Sequence, residues 1–79
     1  MPIYFFNLHN DVEAVDNEGM DFPDASAALI FAVQSVRNLI AFSIESEGSF
    51  SVHHSLDVLN ADGVLIEKIN FGSVVKVLP

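Results

Sequence analysis

Residues 22–48, FPDASAALIFAVQSVRNLIAFSIESEG, decide the fold of this chain. Pro23 keeps the residue before it in extended backbone, and the carboxylate of Asp24 is suited to cap the free amides of a first helical turn. The sequence therefore predicts a helix from about residue 25 to about residue 45, with Gly48 as a C-terminal stop.

One side of this helix is apolar at 100° per residue. That face consists of Leu29, Ala32, Val33, Val36, Ile40 and Ile44. Phe31 and Phe42 fall together on the opposite side, with Ser35 and Asn38 between them. A helix on a small sheet normally leaves that opposite side in water, so two Phe rings there predict an interface formed by Phe31, Ser35, Asn38 and Phe42. The alternative is that loops of the same chain cover one or both rings.

A hairpin is predicted before the helix. Residues 3–9 are rich in β-branched and aromatic side chains, which favour a strand, and Tyr4, Phe6 and Leu8 share the face that suits the core. Turn residues at 10–11 lead into a second strand over residues 12–15, and a polar turn follows at 16–19.

A second hairpin is predicted after the helix. Its strands cover residues 52–59 and 64–71, joined by a turn at 60–63 that ends in glycine. Leu56 and Val58 are expected to face inward, and on the other strand one face holds Leu65, Ile69 and Phe71. Residues 74–78 are expected to form either a short fifth strand or an extended tail.

These elements predict an α+β fold of β-β-α-β-β order, an antiparallel sheet with one long helix packed on one face. The chain has 79 residues, which is enough for one small domain over residues 1–79. The order of the strands in the sheet does not follow from the sequence.

Composition excludes several classes of function. Hydrophobic residues make up 51% of the chain, so it is too apolar for a disordered acidic tail. The net charge of -8 disfavours binding to nucleic acid and to anionic membranes. The chain holds no cysteine and no basic segment typical of a signal peptide, and Gln34, Arg37 and Asn38 interrupt its longest apolar stretch. We therefore expect a cytoplasmic protein without a membrane-spanning helix.

The opening residues 2–8, PIYFFNL, resemble the start of a family of small uncharacterised alphaproteobacterial proteins of the rhizobial type, which begin Met-Pro-x-Tyr-Phe-Phe-His-Leu. The likeness continues through residues 16–24 and through 57–65 with 69–71. The family is a domain of unknown function, so the resemblance implies a fold and a bacterial cytoplasmic setting without an activity. Asn7 replaces the family's His, and Ile30, Phe31 and Phe42 lie where the family's helix tends to carry Arg and Glu.

The side chains that carry chemistry do not form a recognisable active site. Carboxylates crowd the segment before Arg37, but no calcium-loop spacing occurs, so turn formation and capping explain them better. His53 and His54 would point to opposite faces of a strand, and only His9 could join one of them, if the first and third strands were neighbours. We therefore predict no metal site, no cofactor and no catalytic residue, and expect that the protein is not an enzyme.

Two functions from different classes remain. The excess of apolar residues favours a protein-interaction module that forms a homo-oligomer, most simply a homodimer. The alternative is an antitoxin-like regulatory domain, whose acidic surface would bind a basic protein partner.

Overall fold

The computed structural model describes all 79 residues and consists of one helix between strands on either side. The elements in chain order are β1 (Ile3–His9), β2 (Glu13–Ala14), β3 (Met20–Asp21), α1 (Ala25–Glu47), β4 (Ser55–Leu59), β5 (Leu65–Asn70) and a 3-10 helix (Phe71–Ser73). The antiparallel sheet and the single long helix confirm the predicted α+β fold. The short strand β3 is an addition to the predicted order.

The sheet is built around β1, in the order β2-β1-β4-β5, and β3 also pairs with β1. β1 runs antiparallel to β4, with Phe6 opposite Val58 and His9 opposite Ser55. β2 pairs with Leu8 and His9 at one end of β1, and β3 pairs with Ile3 and Tyr4 at the other end. Between these two sites the amide of Phe6 donates to Asp16 Oδ2, in the loop that joins β2 to β3. β2 and β3 therefore form one interrupted edge strand. The first and third predicted strands are therefore neighbours.

The helix begins and ends at the predicted signals. Asp24 accepts a hydrogen bond from the amide of Ala27, and Gly48 adopts the left-handed conformation while its amide donates to the carbonyl of Ile44.

The core lies between the helix and one face of the sheet. On the sheet side it contains Tyr4, Leu56, Val58, Ile69 and Phe71, as the alternation of residues along the strands predicts. On the helix side it contains Ala28, Ala32, Val36 and Ile40, one residue every four positions. Three of these four side chains are small, so the helix backbone can lie close to the sheet.

The buried helix face differs from the predicted one at its two ends. Ala28 is fully buried, whereas Ile44 is 50% exposed. A helix of 23 residues is about 35 Å long, and a seven-residue strand such as β1 is about 23 Å long. The helix is therefore longer than the central strand of the sheet, and burial ends at Ile40, seven residues before the helix does.

The strands of the second hairpin are shorter than predicted, and an irregular pairing changes which residues of β5 face the core. Residues 52–54 form a turn before β4, and β5 ends at Asn70. An irregularity at Val58 and Leu59 shifts the pairing with β5, so Ile66 packs against the core while Leu65 is 51% exposed.

The last residues form a tail and no fifth strand. Val74 and Val75 pack against the core, and Arg37 Nε donates to the carbonyl of Val74 at 3.0 Å. Of the two alternatives for this segment, the extended tail is the one observed.

The helix α1 has the length and composition of a membrane-spanning segment, with a mean hydropathy of 1.6 over its most apolar window. The prediction that Gln34, Arg37 and Asn38 exclude such a helix was therefore too strong. Only 22% of this window is buried in the structure, and Val36 and Ile40 are among its buried residues.

Gly19, at the start of the edge segment that leads into β3, provides a test of this edge. Its φ is 74°, and a Cβ atom there would lie 2.5 Å from Ile3 Cγ2 and 3.1 Å from the carbonyl oxygen of Tyr4. We expect Gly19→Ala to destabilise the fold by about 2–4 kcal/mol, since the left-handed backbone and the contact with β1 both oppose a side chain. Urea unfolding measures this change.

Gly63→Ala is the matched control, because Gly63 has a φ of 79° and no atom within 4 Å of its added Cβ. It should cost only the backbone term of about 1 kcal/mol. Equal losses for the two variants would contradict a close approach between Gly19 and β1.

Candidate functional site

The solvent side of α1 is apolar and almost uncharged. We call the exposed residues Ile30, Gln34, Asn38, Ala41 and Phe42 the outer helix surface. Ile30 is 72% exposed and Phe42 is 70% exposed. Between residues 25 and 44 the helix carries a single charged side chain, Arg37. On a protein of net charge -8, this surface contains no carboxylate, and the first one on the same helix side is Glu45 in the last turn.

The four residues predicted as an interface have different surroundings. The ring of Phe31 lies 5.4 Å from the ring of Phe6 and 5.2 Å from the ring of Phe22, which precedes the helix. The ring of Phe31 is therefore covered in part by strand β1 and by the residue before Pro23, whereas the expected alternative was cover by loops. Phe42 follows eleven residues later, about 16 Å along the helix axis.

The two polar residues between these rings bond within the helix. Ser35 Oγ donates to the carbonyl of Phe31, and Asn38 Oδ1 accepts from Gln34 Nε2 at 3.2 Å. Asn38 is exposed and belongs to the outer helix surface, whereas Ser35 is half-buried.

A charged cluster lies on the sheet face opposite the helix. His9 Nε2 lies 2.8 Å from Asp57 Oδ2, and His9 Nδ1 lies 3.2 Å from Glu13 Oε1. Asp57 Oδ1 is buried without a hydrogen-bond partner and lies 3.8 Å from Lys68 Nζ. His9 therefore lies within hydrogen-bond distance of carboxylates on both β2 and β4, and it links β1 to these two strands.

This cluster was missed by sequence reasoning. Its members lie on four different strands, so the spacing along the chain carries no signal until the strand order is known. The pairing of His9 with Ser55 places Asp57 diagonally across from His9 on the same face of the sheet.

The other imidazole and hydroxyl groups do not converge with His9. His54 lies in the turn before β4, where its Nε2 is 3.6 Å from Asp11 Oδ1 and its ring packs edge-on against Phe71. Ser55 is buried at 2% exposure, one residue after His54. No group of three His, Asp or Glu side chains in the structure is arranged to hold a metal ion.

Among the carboxylates of the N-terminal third, Asp16 has a structural role. Its Oδ1 accepts from the amides of Gly19 and Glu18, and its Oδ2 accepts from the amide of Phe6. The hydrogen bond from Gly19 lowers the pKa of Asp16 below its ordinary value of 3.8; burial opposes this, and the bonds from Glu18 and Phe6 add to it. The amide of Asp16 in turn donates to Asn7 Oδ1 at 2.9 Å.

The fold and these surfaces can now be compared with known proteins. A family described as a domain of unknown function, DUF6894, matches residues 3–72. The chain belongs to the DUF6894 family. The match begins with β1 and reaches into the 3-10 helix, so it includes the helix, the edge strands and the charged cluster. No curated protein and no solved structure matches the chain.

The family assignment confirms the part of the predicted resemblance that concerned a domain of unknown function. It assigns no activity, ligand or partner. The functional argument therefore rests on the surfaces described above.

The different surroundings of the two Phe residues can be tested through stability. Phe31→Ala should lower the free energy of unfolding by about 1–3 kcal/mol, because it removes a ring that packs on Phe6 and Phe22. Phe42→Ala should change it by less than about 1 kcal/mol, because that ring is mostly in water. Chemical denaturation at low protein concentration measures both values, and a larger loss for Phe42→Ala would contradict this arrangement.

Asp16 predicts a specific dependence on pH. The pKa of Asp16 is lowered in the folded state, so its ionised carboxylate stabilises the fold. This stabilisation is fully present above pH 3.8 and is lost as the pH falls through the pKa of the folded state. Asp16→Asn should lower stability at pH 7 by about 1–3 kcal/mol, since an amide NH₂ cannot accept from the amide of Phe6.

The difference in stability between the parent and Asp16→Asn should shrink as the pH falls below 3.8 and through the lowered pKa at which the Asp16 carboxyl of the folded parent becomes protonated. Asp62→Asn provides the control, since Asp62 lies in the exposed turn between β4 and β5. A difference for Asp16→Asn that stays constant down to acid unfolding would refute the role of the ionised carboxylate.

Proposed function

We propose that this DUF6894 protein is a non-enzymatic cytoplasmic interaction module that forms a homodimer through its outer helix surface. The observation that carries the proposal is the 70% exposure of Phe42 and the 72% exposure of Ile30 on a helix that carries no carboxylate before Glu45. Large apolar side chains exposed along one helix favour a contact that removes them from water.

Charge explains why a second copy can be the partner. Two molecules of net charge -8 repel each other on average. The acidic residues of α1 are confined to its last turn, at Glu45 and Glu47, while Asp11, Glu13 and Glu18 lie in the segment before the helix. A contact centred on the helix therefore keeps most like charges away from the interface.

The spacing of the outer helix surface suits an antiparallel helix pair around a twofold axis. If the axis crosses the helix midway between Gln34 and Asn38, residue 30 of one copy lies level with residue 42 of the other, and residue 34 lies level with residue 38. This arrangement brings Ile30 and Phe42 of the two copies to the same level and places the amide of Gln34 against that of Asn38. A single helix pair is a small interface, so we expect a dissociation constant in the micromolar range.

The second candidate is the antitoxin-like regulator that binds a basic protein. Its support is the exposure of Asp11, Glu13, Glu18, Asp21 and Asp24, all in the segment before the helix. These carboxylates would speed the approach of a cationic partner and make its binding sensitive to salt. The homodimer remains the preferred proposal because it accounts for the apolar helix side.

Sedimentation velocity over a series of micromolar to millimolar concentrations tests the homodimer. The parent should pass from monomer to dimer as its concentration rises. Ile30→Glu should remain monomeric, because the symmetric contact would bury the new charge once in each copy. Val12→Glu is the matched control, since Val12 is 75% exposed and lies in the β1–β2 connection. A parent that stays monomeric throughout, or a control that dissociates equally, would refute the proposal.

The register of the helix pair can be tested separately, because the chain contains no cysteine. A mixture of Ile30→Cys and Phe42→Cys should form a mixed disulfide under mild oxidation faster than either variant links to itself. Preferential linkage of Ile30→Cys to itself would contradict an antiparallel register centred midway between Gln34 and Asn38.

A further inference from the structure

A cleft lies at the C-terminal end of α1, away from Ile30 and the centre of the proposed dimer contact. It consists of two adjoining cavities of about 290 Å³ each, and both are lined by Asp11, Ser43, Glu47 and His54. Three segments form it: the β1–β2 connection, the last turns of the helix and the turn before β4. Residues far apart in sequence therefore meet around one concave space.

The two cavities differ in chemistry. One is mainly polar and adds the hydroxyls of Ser49 and Ser51 to the shared residues. The other adds four apolar side chains, Leu8, Leu39, Phe42 and Phe71. Small-molecule sites combine an apolar surface with a few polar groups in this way.

The cleft carries an unbalanced negative charge. The last turn of α1 contains Glu47 and no basic residue, although the C-terminal end of a helix favours cations. Asp11 adds a second carboxylate, which is 98% exposed and meets only His54, at 3.6 Å. None of the three Lys and Arg side chains of the protein lines either cavity.

His54 holds one wall of the cleft in place. Its ring packs edge-on against Phe71 at 5.6 Å, and its carbonyl accepts a hydrogen bond from the amide of Phe71 at 2.9 Å. The side chain is 26% exposed, so part of the imidazole faces the cavity. A preformed wall reduces the ordering that a ligand would require.

From these observations we propose that the cleft binds a small organic amine: an ammonium group between Asp11 and Glu47, and an apolar part against Leu39 and Phe42. The helix C-terminus and two carboxylates favour a positive charge, and the apolar cavity favours a hydrocarbon body over a bare metal ion. The cavity volumes suit a ligand of this size better than a folded partner. This binding goes beyond the proposed dimer, which does not require it.

Titration with 2-phenylethylamine, followed by amide chemical shifts in NMR spectra, tests the proposal. The amine should shift the amides of Ser43, Glu47 and His54 in a saturable way at millimolar concentration. 2-Phenylethanol has the same shape without the charge and should bind at least about tenfold more weakly. Equal shifts from the alcohol, or shifts spread over the whole sheet, would overturn the proposal.

Two double variants separate this site from the general acidity of the protein. Asp11→Asn with Glu47→Gln should weaken amine binding by about tenfold or more. Asp62→Asn with Glu67→Gln makes the same change in net charge away from the cleft, and should leave binding within about twofold of the parent. An equal loss in the two double variants would show that only the overall field attracts the amine and would refute a built site.

Phe42 belongs to both the outer helix surface and the cleft, so a monomeric variant separates amine binding from dimer formation. Glu47 lies about 25 Å along the helix from Ile30, so the titration can be carried out on the Ile30→Glu protein. Retained amine binding in that variant is expected, and its loss would contradict a site formed within one copy of the chain.

Discussion

The contact of Ala28, Ala32, Val36 and Ile40 with the sheet is the constraint on which the rest of the structure depends. These side chains recur every four residues, and three of them are small, so the helix backbone lies close to the strands. A line of contact this narrow buries only one side of a helix of 23 residues. The larger apolar residues of α1 must therefore pack at its flanks, as Phe31 does against Phe6, or remain in water, as Ile30 and Phe42 do.

The edge of the sheet depends on a second arrangement. β2 and β3 have two residues each, which is too few to form a stable edge alone. The loop between them provides a further hydrogen bond to β1. Asp16 accepts from the amide of Phe6 at the point where β1 would otherwise have an unpaired donor. The carboxylate of Asp16 therefore has a structural role in this segment. The other, exposed carboxylates keep the edge of the sheet charged, which discourages its pairing with strands of other molecules.

The distribution of charge gives the two proposed sites their different characters. The outer helix surface lacks carboxylates, which suits a contact between two copies of the same acidic chain. The cleft at the end of the helix combines Glu47 with Asp11 and with the negative end of the helix dipole, which suits a cationic ligand. Phe42 borders both regions, but Ile30 belongs only to the first and Asp11 only to the second, so the two functions can be separated by substitution.

The sequence by itself determined the elements that local chemistry specifies: the helix cap at Asp24, the left-handed stop at Gly48, the turn at residues 60–63 and the alternation that buries Tyr4 and Val58. It also singled out Phe42. It could not place Leu65, because the irregular pairing of β4 with β5 reverses the side on which that residue falls. Nor could it bring His9 to Asp57 or place Asp11 and Glu47 around one cleft, because these arrangements depend on strand order and on the path of a connecting turn. Only the tertiary structure decided those contacts, since the free energy of forming them depends on residues distant in sequence.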